Sequence, residues 1–250
     1  MNQVREVHEL HRVRKCVRVF TVALVAAFLT ARATGQTSPG TIKGHVVLTG
    51  KAPGNPIIRM GVDPKCSALN AGHRAIQESA MVAADGSVGN VFVRLDGTFP
   101  KTAVPTDPIV IDQRACFYRP RVIGMRVGQP LQIRNDDDLL HNVHSSSAAG
   151  NTLNVGQPKA GIVFTFTPRT EEVMLRLGCD VHRWMTAYVG IVSHPYFSVS
   201  GADGAFTIAK VPAGTYTIKT WHERFGEMTK KVTVKPGALS TVDFAYPSSP

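Results

Sequence analysis

Cys179-Asp180-Val181-His182-Arg183-Trp184-Met185 sets a thiol, an imidazole and a thioether at the spacing Cys-x-x-His-x-x-Met. The apolar run Val173-Met174-Leu175-Arg176-Leu177 precedes it, and Ala187-Tyr188-Val189-Gly190-Ile191-Val192 follows. Two strand-like runs joined by so short a segment predict a tight loop on which the three side chains converge. Upstream, His141-Asn142-Val143-His144 opens another strand-like run and offers a second imidazole. Two imidazoles, one thiolate and a weak thioether are a donor set suited to electron-transfer copper.

Outward from this loop the chain reads as short β-rich runs divided by Gly, Pro, Asn and Asp. Strands are expected at 42–48, 91–95, 108–111, 123–127, 131–133, 141–144, 162–166, 173–177 and 187–192. Residues 55–80 read as irregular, with a helical turn near 67–75. From residue 196 the texture changes to an alternating pattern with an Asp203-Gly204 turn and strands at 197–199, 205–208, 215–221, 230–234 and 241–244. Many short strands at even spacing, with few helix signals, predict an all-β protein: a β-sandwich over 41–195, then a small antiparallel β-sandwich module over 196–248.

The first 33 residues read differently. Arg5, Arg12, Arg14, Lys15 and Arg18 precede the apolar run 19–31, and Ala31-Arg32-Ala33 supplies a small-residue cleavage site. That is the layout of a secretory signal peptide, with an uncleaved anchor as the alternative. No later stretch is apolar enough to span a membrane. The segment carries six Lys/Arg and two Asp/Glu, so its removal lowers the formal charge from +10 to +6. The remaining charges are interspersed rather than clustered, which argues a solvated basic surface and against nucleic-acid binding.

Cys16 leaves with the leader, so Cys66, Cys116 and Cys179 remain. An odd count in an exported chain leaves one thiol over. A Cys66–Cys116 disulfide, natural in an oxidising compartment, leaves Cys179 for metal. The count alone leaves other pairings open.

His141-Asn142-Val143, Cys179, His182 and Met185 resemble the ligand motifs of the cupredoxins, the blue copper proteins. The loop is similar to the short amicyanin type and His-Asn-Val to plastocyanin. The resemblance implies a Greek-key sandwich holding one mononuclear type 1 copper ion. His141, Cys179 and His182 would be equatorial ligands, Met185 the weak axial one, and Asn142 would constrain the Cys179 sulfur by hydrogen bonding. Residues 197–247 resemble the transthyretin-like, carboxypeptidase-regulatory-like module, also classed among carbohydrate-binding-like folds. The features that carry this are Gly204-x-Phe206-x-Ile208 and Val211-Pro212-x-Gly214-x-Tyr216.

Duller readings weigh on single residues. Structural zinc sites use more cysteines and rarely a methionine, so zinc fits less well. His144 is expected on the surface, outside the ligand set. Asp136-Asp137-Asp138 reads as a solvated turn, and Trp221-His222-Glu223 as strand packing ending in an exposed charge. Trp184 reads equally as a docking patch or as a cap on the sandwich. No Gly-rich nucleotide loop, no Ser-His-Asp signature and no His-x-His pair points to an enzyme. The expected function is therefore periplasmic or secreted single-electron transfer with a transiently bound redox protein. The alternative is non-redox copper storage or carriage, or carbohydrate or cell-wall binding through the C-terminal module.

Overall fold

The computed structural model describes residues 38–248; the expected signal peptide lies outside them. Seventeen strands, a single 3-10 turn at Met60–Val62 and one short α-helix follow one another along these residues. The first stretch carries β1 (Gly40–Thr49), α1 (Pro64–Leu69), β2 (Phe92–Asp96), β3 (Ile109–Arg114) and β4 (Phe117–Arg119). Next come β5 (Val122–Arg126), β6 (Leu131–Asn135), β7 (His141–Ser146), β8 (Asn154–Gln157) and β9 (Val163–Phe166). The candidate ligand loop, Cys179–Met185, separates β10 (Glu172–Gly178) from β11 (Thr186–Val192). Beyond it lie β12 (Phe197–Val199), β13 (Ala205–Val211), β14 (Gly214–His222), β15 (Gly226–Val234), β16 (Leu239–Thr241) and β17 (Phe244–Pro247). The all-β class is as expected. The helix starts earlier than the sequence suggested, because Asp63 caps it and Pro64 occupies its first turn.

Two sheets enclose the ligand loop: β5-β11-β10-β7-β8 and β4-β3-β6-β9. Their facing side chains, among them Ile111, Tyr118, Met125, Leu131, Ile133, Val143, Leu177 and Val189, form one buried core that also contains Cys179 and Met185. β11 lies inside its sheet, between β5 and β10, and is almost wholly buried, which explains its apolar run. Alternate residues Ala187, Val189 and Ile191 enter this core. On the opposite face the Phe92 ring lies so close to Gly190 that a Cβ there would collide with it.

The other two sheets are β13-β1-β16, with β17 also on β1, and β12-β2-β14-β15. They close on a second core that includes Ile42, Val46, Leu95, Phe206, Ile208, Ile218, Phe244 and Tyr246. Sheet membership therefore departs from the linear division expected at residue 196. β1 pairs with β13, β16 and β17, and β2 pairs with β12 and β14. A fifty-residue module has a thin core of its own, and these two N-terminal strands complete it. Phe92, Val122 and Val192 make a third small cluster where the β2 sheet meets β5 and β11.

Polar contacts tie the same junction. Arg121, just before β5, makes two hydrogen bonds to Glu223 and a third to the Thr186 carbonyl at the end of the ligand loop. Both partners are at least nine-tenths buried, so Glu223 is a clasped charge rather than the exposed one expected. Tyr188 packs on Trp221 with ring centroids 4.9 Å apart.

Candidate metal centre

The ligand loop folds back on itself because the backbone carbonyl of His182 accepts from the Met185 amide at 2.8 Å. This turn brings His182 over Cys179, whose sulfur accepts from the His182 amide at 3.4 Å. β7 lies beside β10 in the sheet, with His144 opposite Gly178, and so delivers His141 to the same point. The two imidazoles meet through their Nδ1 atoms, 3.1 Å apart, and His182 Nδ1 lies 3.9 Å from Cys179 Sγ. His141, Cys179, His182 and Met185 are all 3% exposed or less.

Each imidazole is held from behind. His141 Nε2 lies 2.9 Å from the buried Asp137 carboxylate, and His182 Nε2 lies 3.0 Å from Asp63. The Asp136–Asp138 segment is thus not a wholly solvated turn. Asp137 points inward and also accepts from the amides of Ala115 and Cys116, both at 2.8 Å. Neither carboxylate was recognised as part of the site from sequence. Asp63 could have been found as an N-cap before a proline, yet nothing local links it to a histidine more than a hundred residues away.

The Cys179 sulfur is fixed by its neighbours. Asn142 donates its backbone amide to Sγ at 3.3 Å, and its side-chain oxygen accepts from the Asp180 amide at 3.2 Å. Tyr118 donates its hydroxyl to the carbonyls of Asn142 and Gly178, bridging the strands that carry both ligand motifs. Burial pushes the thiol up, but hydrogen bonds from His141, His182 and the two amides outweigh it and hold Cys179 down at about 6. The thiolate is the species that binds metal, so the site is ready for a cation. Burial lowers both histidines, yet Cys179 and the two carboxylates outweigh it and raise them.

Bonds of about 2 Å to imidazole nitrogen and about 2.3 Å to thiolate let one ion reach all three donor atoms at these separations. The donor set, nitrogen and soft sulfur without a ring of carboxylates, suits copper. Among the described residues two further donor groups occur, Cys66–Cys116–His182 and Cys116–Asp137–His141. Both draw on sulfur already committed to the Cys66–Cys116 disulfide, which forms as expected and leaves Cys179 as the free cysteine among the described residues.

Other residues fall outside the cluster. His144 is half-buried, with Nδ1 2.8 Å from Asp180. Trp184 packs on the core and donates its indole N–H to the Cys116 carbonyl at 3.0 Å, which is the role of a cap. His222 is buried and stacked on Phe225.

Comparisons with known proteins add three findings. The family model for polysaccharide lyase family 4, domain II, matches residues 178–242, a span that begins at the ligand loop and runs through the C-terminal strands. Among solved structures, a purple cupredoxin from Nitrosopumilus maritimus is 23% identical over 33% of this chain and 98% of its own, with a TM-score of 0.29. An amicyanin variant in its Cu(I) form is 18% identical over 40% of this chain and 97% of its own, at 0.31. A copper-containing nitrite reductase from Thermus scotoductus is 16% identical over 38% of this chain and 24% of its own, at 0.31. No curated protein matches the chain. Among the described residues, no helix is long and apolar enough to cross a membrane.

Proposed function

We propose that the chain is an exported mononuclear type 1 copper protein that carries single electrons between redox partners. The observation that carries this reading is the convergence of His141 Nδ1, His182 Nδ1 and Cys179 Sγ in a buried pocket. Met185, buried in the same core, is the candidate axial donor. Copper bound here would supply a one-electron Cu(II)/Cu(I) couple. The chain's own contribution is to hold the donors in place before metal arrives. Asn142 and the His182 amide steady the sulfur, two carboxylates fix the rings, and the surrounding strands exclude water. Donors locked in this way cannot rearrange to suit either oxidation state alone, which keeps the cost of moving an electron small.

The reading includes a transient redox partner met through a small interface. A formal charge of +6 beyond the leader favours an acidic one. The disulfide fits an oxidising, periplasmic or extracellular setting. A second reading draws on the match to a polysaccharide lyase domain: the C-terminal strands would bind carbohydrate, with copper stored or carried rather than cycled.

The deciding experiment is a visible absorption spectrum of the protein loaded with Cu(II) after removal of the leader. An intense thiolate-to-copper band that ascorbate bleaches reversibly supports electron transfer. Colourless Cu(II) binding removes Cys179 from the ligand set and sinks the reading. Retention of a polysaccharide by the copper-free protein would favour the second.

A further inference from the structure

The ligand loop brings three of the four candidate donors, Cys179, His182 and Met185, yet what aims the imidazoles comes from distant parts of the chain. Asp63 uses one oxygen to accept from the Cys66 amide at 3.0 Å and turns the other to His182 Nε2 at 3.0 Å. Asp137 accepts from the Cys116 amide at 2.8 Å and lies 2.9 Å from His141 Nε2. The amides gripped by the two carboxylates belong to the two halves of one disulfide, whose Cα atoms are 5.7 Å apart across fifty residues of sequence. Cys66 Sγ itself lies 3.4 Å from His182 Nε2.

We propose that Asp63 and Asp137 are positioning residues for the metal centre, and that the Cys66–Cys116 disulfide holds the two in register. The proposal rests on the copper reading. A neutral imidazole carries its proton on either nitrogen, and only the bare one can bind metal. A carboxylate at Nε2 claims the proton there and leaves Nδ1 bare. Here both rings are set the same way, so both lone pairs face the cluster. Each carboxylate also adds negative charge behind its ligand, which favours the higher oxidation state of a bound cation. Without the disulfide, α1 and the Ala115–Cys116 turn would lose their covalent tie and keep weaker contacts such as the Asn70 side-chain amide on the Ala115 carbonyl at 3.0 Å. Asp63 and the cover over His182 would then be held less firmly.

The test compares the full chain, without its leader, with Asp63→Asn and with the double variant Cys66→Ser/Cys116→Ser. Asparagine caps a helix about as well as aspartate, so Asp63→Asn keeps α1 but turns a neutral amide NH2, which donates, toward Nε2 in place of the accepting carboxylate oxygen. Asp137→Asn loses an amide acceptor as well and is the weaker choice. Competition titration with Cu(II) should show an affinity about 10–100-fold lower for Asp63→Asn, with a changed electron paramagnetic resonance spectrum and an unchanged apo melting temperature. The double variant should lose affinity in the same direction. Nitrogen-15 spectra of the metal-free protein in mildly alkaline buffer should show His182 protonated at Nε2, and a tautomer mixture in Asp63→Asn. Unchanged affinity, resonance spectrum and tautomer in Asp63→Asn would overturn the proposal. A wild-type protein without the visible band would instead sink the copper reading, and the tautomer comparison would still decide whether Asp63 orients His182.

Discussion

In the ligand-bearing sandwich Gln113, Asn135, Asp137, His141, Gln157 and His182 are all 4% exposed or less, and they are joined to one another. Gln113 donates to Gln157, Gln157 to the Ile133 carbonyl, and Asn135 to the Leu139 and Gln157 carbonyls. Asn135 in turn accepts from the Asp137 amide, and Asp137 reaches His141. The second core is filled chiefly by Ile42, Val46, Val93, Leu95, Ile208, Ile218 and Phe244, with the Thr220–Tyr246 hydroxyl pair, Ser200 and His222 as separate buried polar groups. Buried polar groups cost free energy unless every partner is in place, and satisfied networks specify one geometry. In the first sandwich that cost falls on the groups around the candidate donor atoms; the second core is packed mainly by apolar side chains. Damage should therefore show as lost metal chemistry in one and as lost stability in the other.

Cys179→Ser gives the sharpest separation. The visible band should vanish, while urea unfolding of the metal-free protein should change by only about 1 kcal/mol, as usual for a mild substitution. A retained band would remove the thiolate from the centre. Phe92→Ala should do the reverse. Its ring is fully buried, packs on Phe197 and lies over Gly124 and Gly190, so truncation should cost about 3–5 kcal/mol in chemical denaturation. Copper loading of the folded fraction should persist. Loss of the band in folded Phe92→Ala would show that the junction also shapes the centre.

Acid should weaken the second region by a route of its own. Burial, helped by nearby Arg121 and Arg224, holds His222 down at about 4, and its Nδ1 accepts from the amides of Arg224 and Phe225. Protonation there would break both hydrogen bonds. The unfolded chain takes up that proton near pH 6.5 and the folded chain only near 4. Stability is thus intact above 6.5 and falls by roughly 3 kcal/mol as pH drops through that window. Melting curves of wild type and His222→Gln across these pH values should converge at the acid end; parallel curves would contradict the assignment.

The smallest effects are expected beside the cluster. Met185→Leu preserves volume in a buried position and should cost less than about 1.5 kcal/mol, leaving a coloured site with a shifted band and potential. His144→Ala should leave the colour in place. If it bleached the protein while His141→Ala did not, the ligand assignment would fail.

The all-β class, most strand positions and the loop where the donors meet were legible in the sequence, because alternation and ligand spacing are local patterns. β4 and β8 were not: one is three residues long, and Asn154-Val155-Gly156-Gln157 lacks the β-branched density that marks a strand. Only the tertiary structure decided that β1 and β2 complete the C-terminal sheets, since hydrogen-bonding edges do not name their partners across more than a hundred residues. It alone turned Asp63 and Asp137 toward the imidazoles. A carboxylate in a turn looks solvated until the fold removes its water and leaves a histidine in that place.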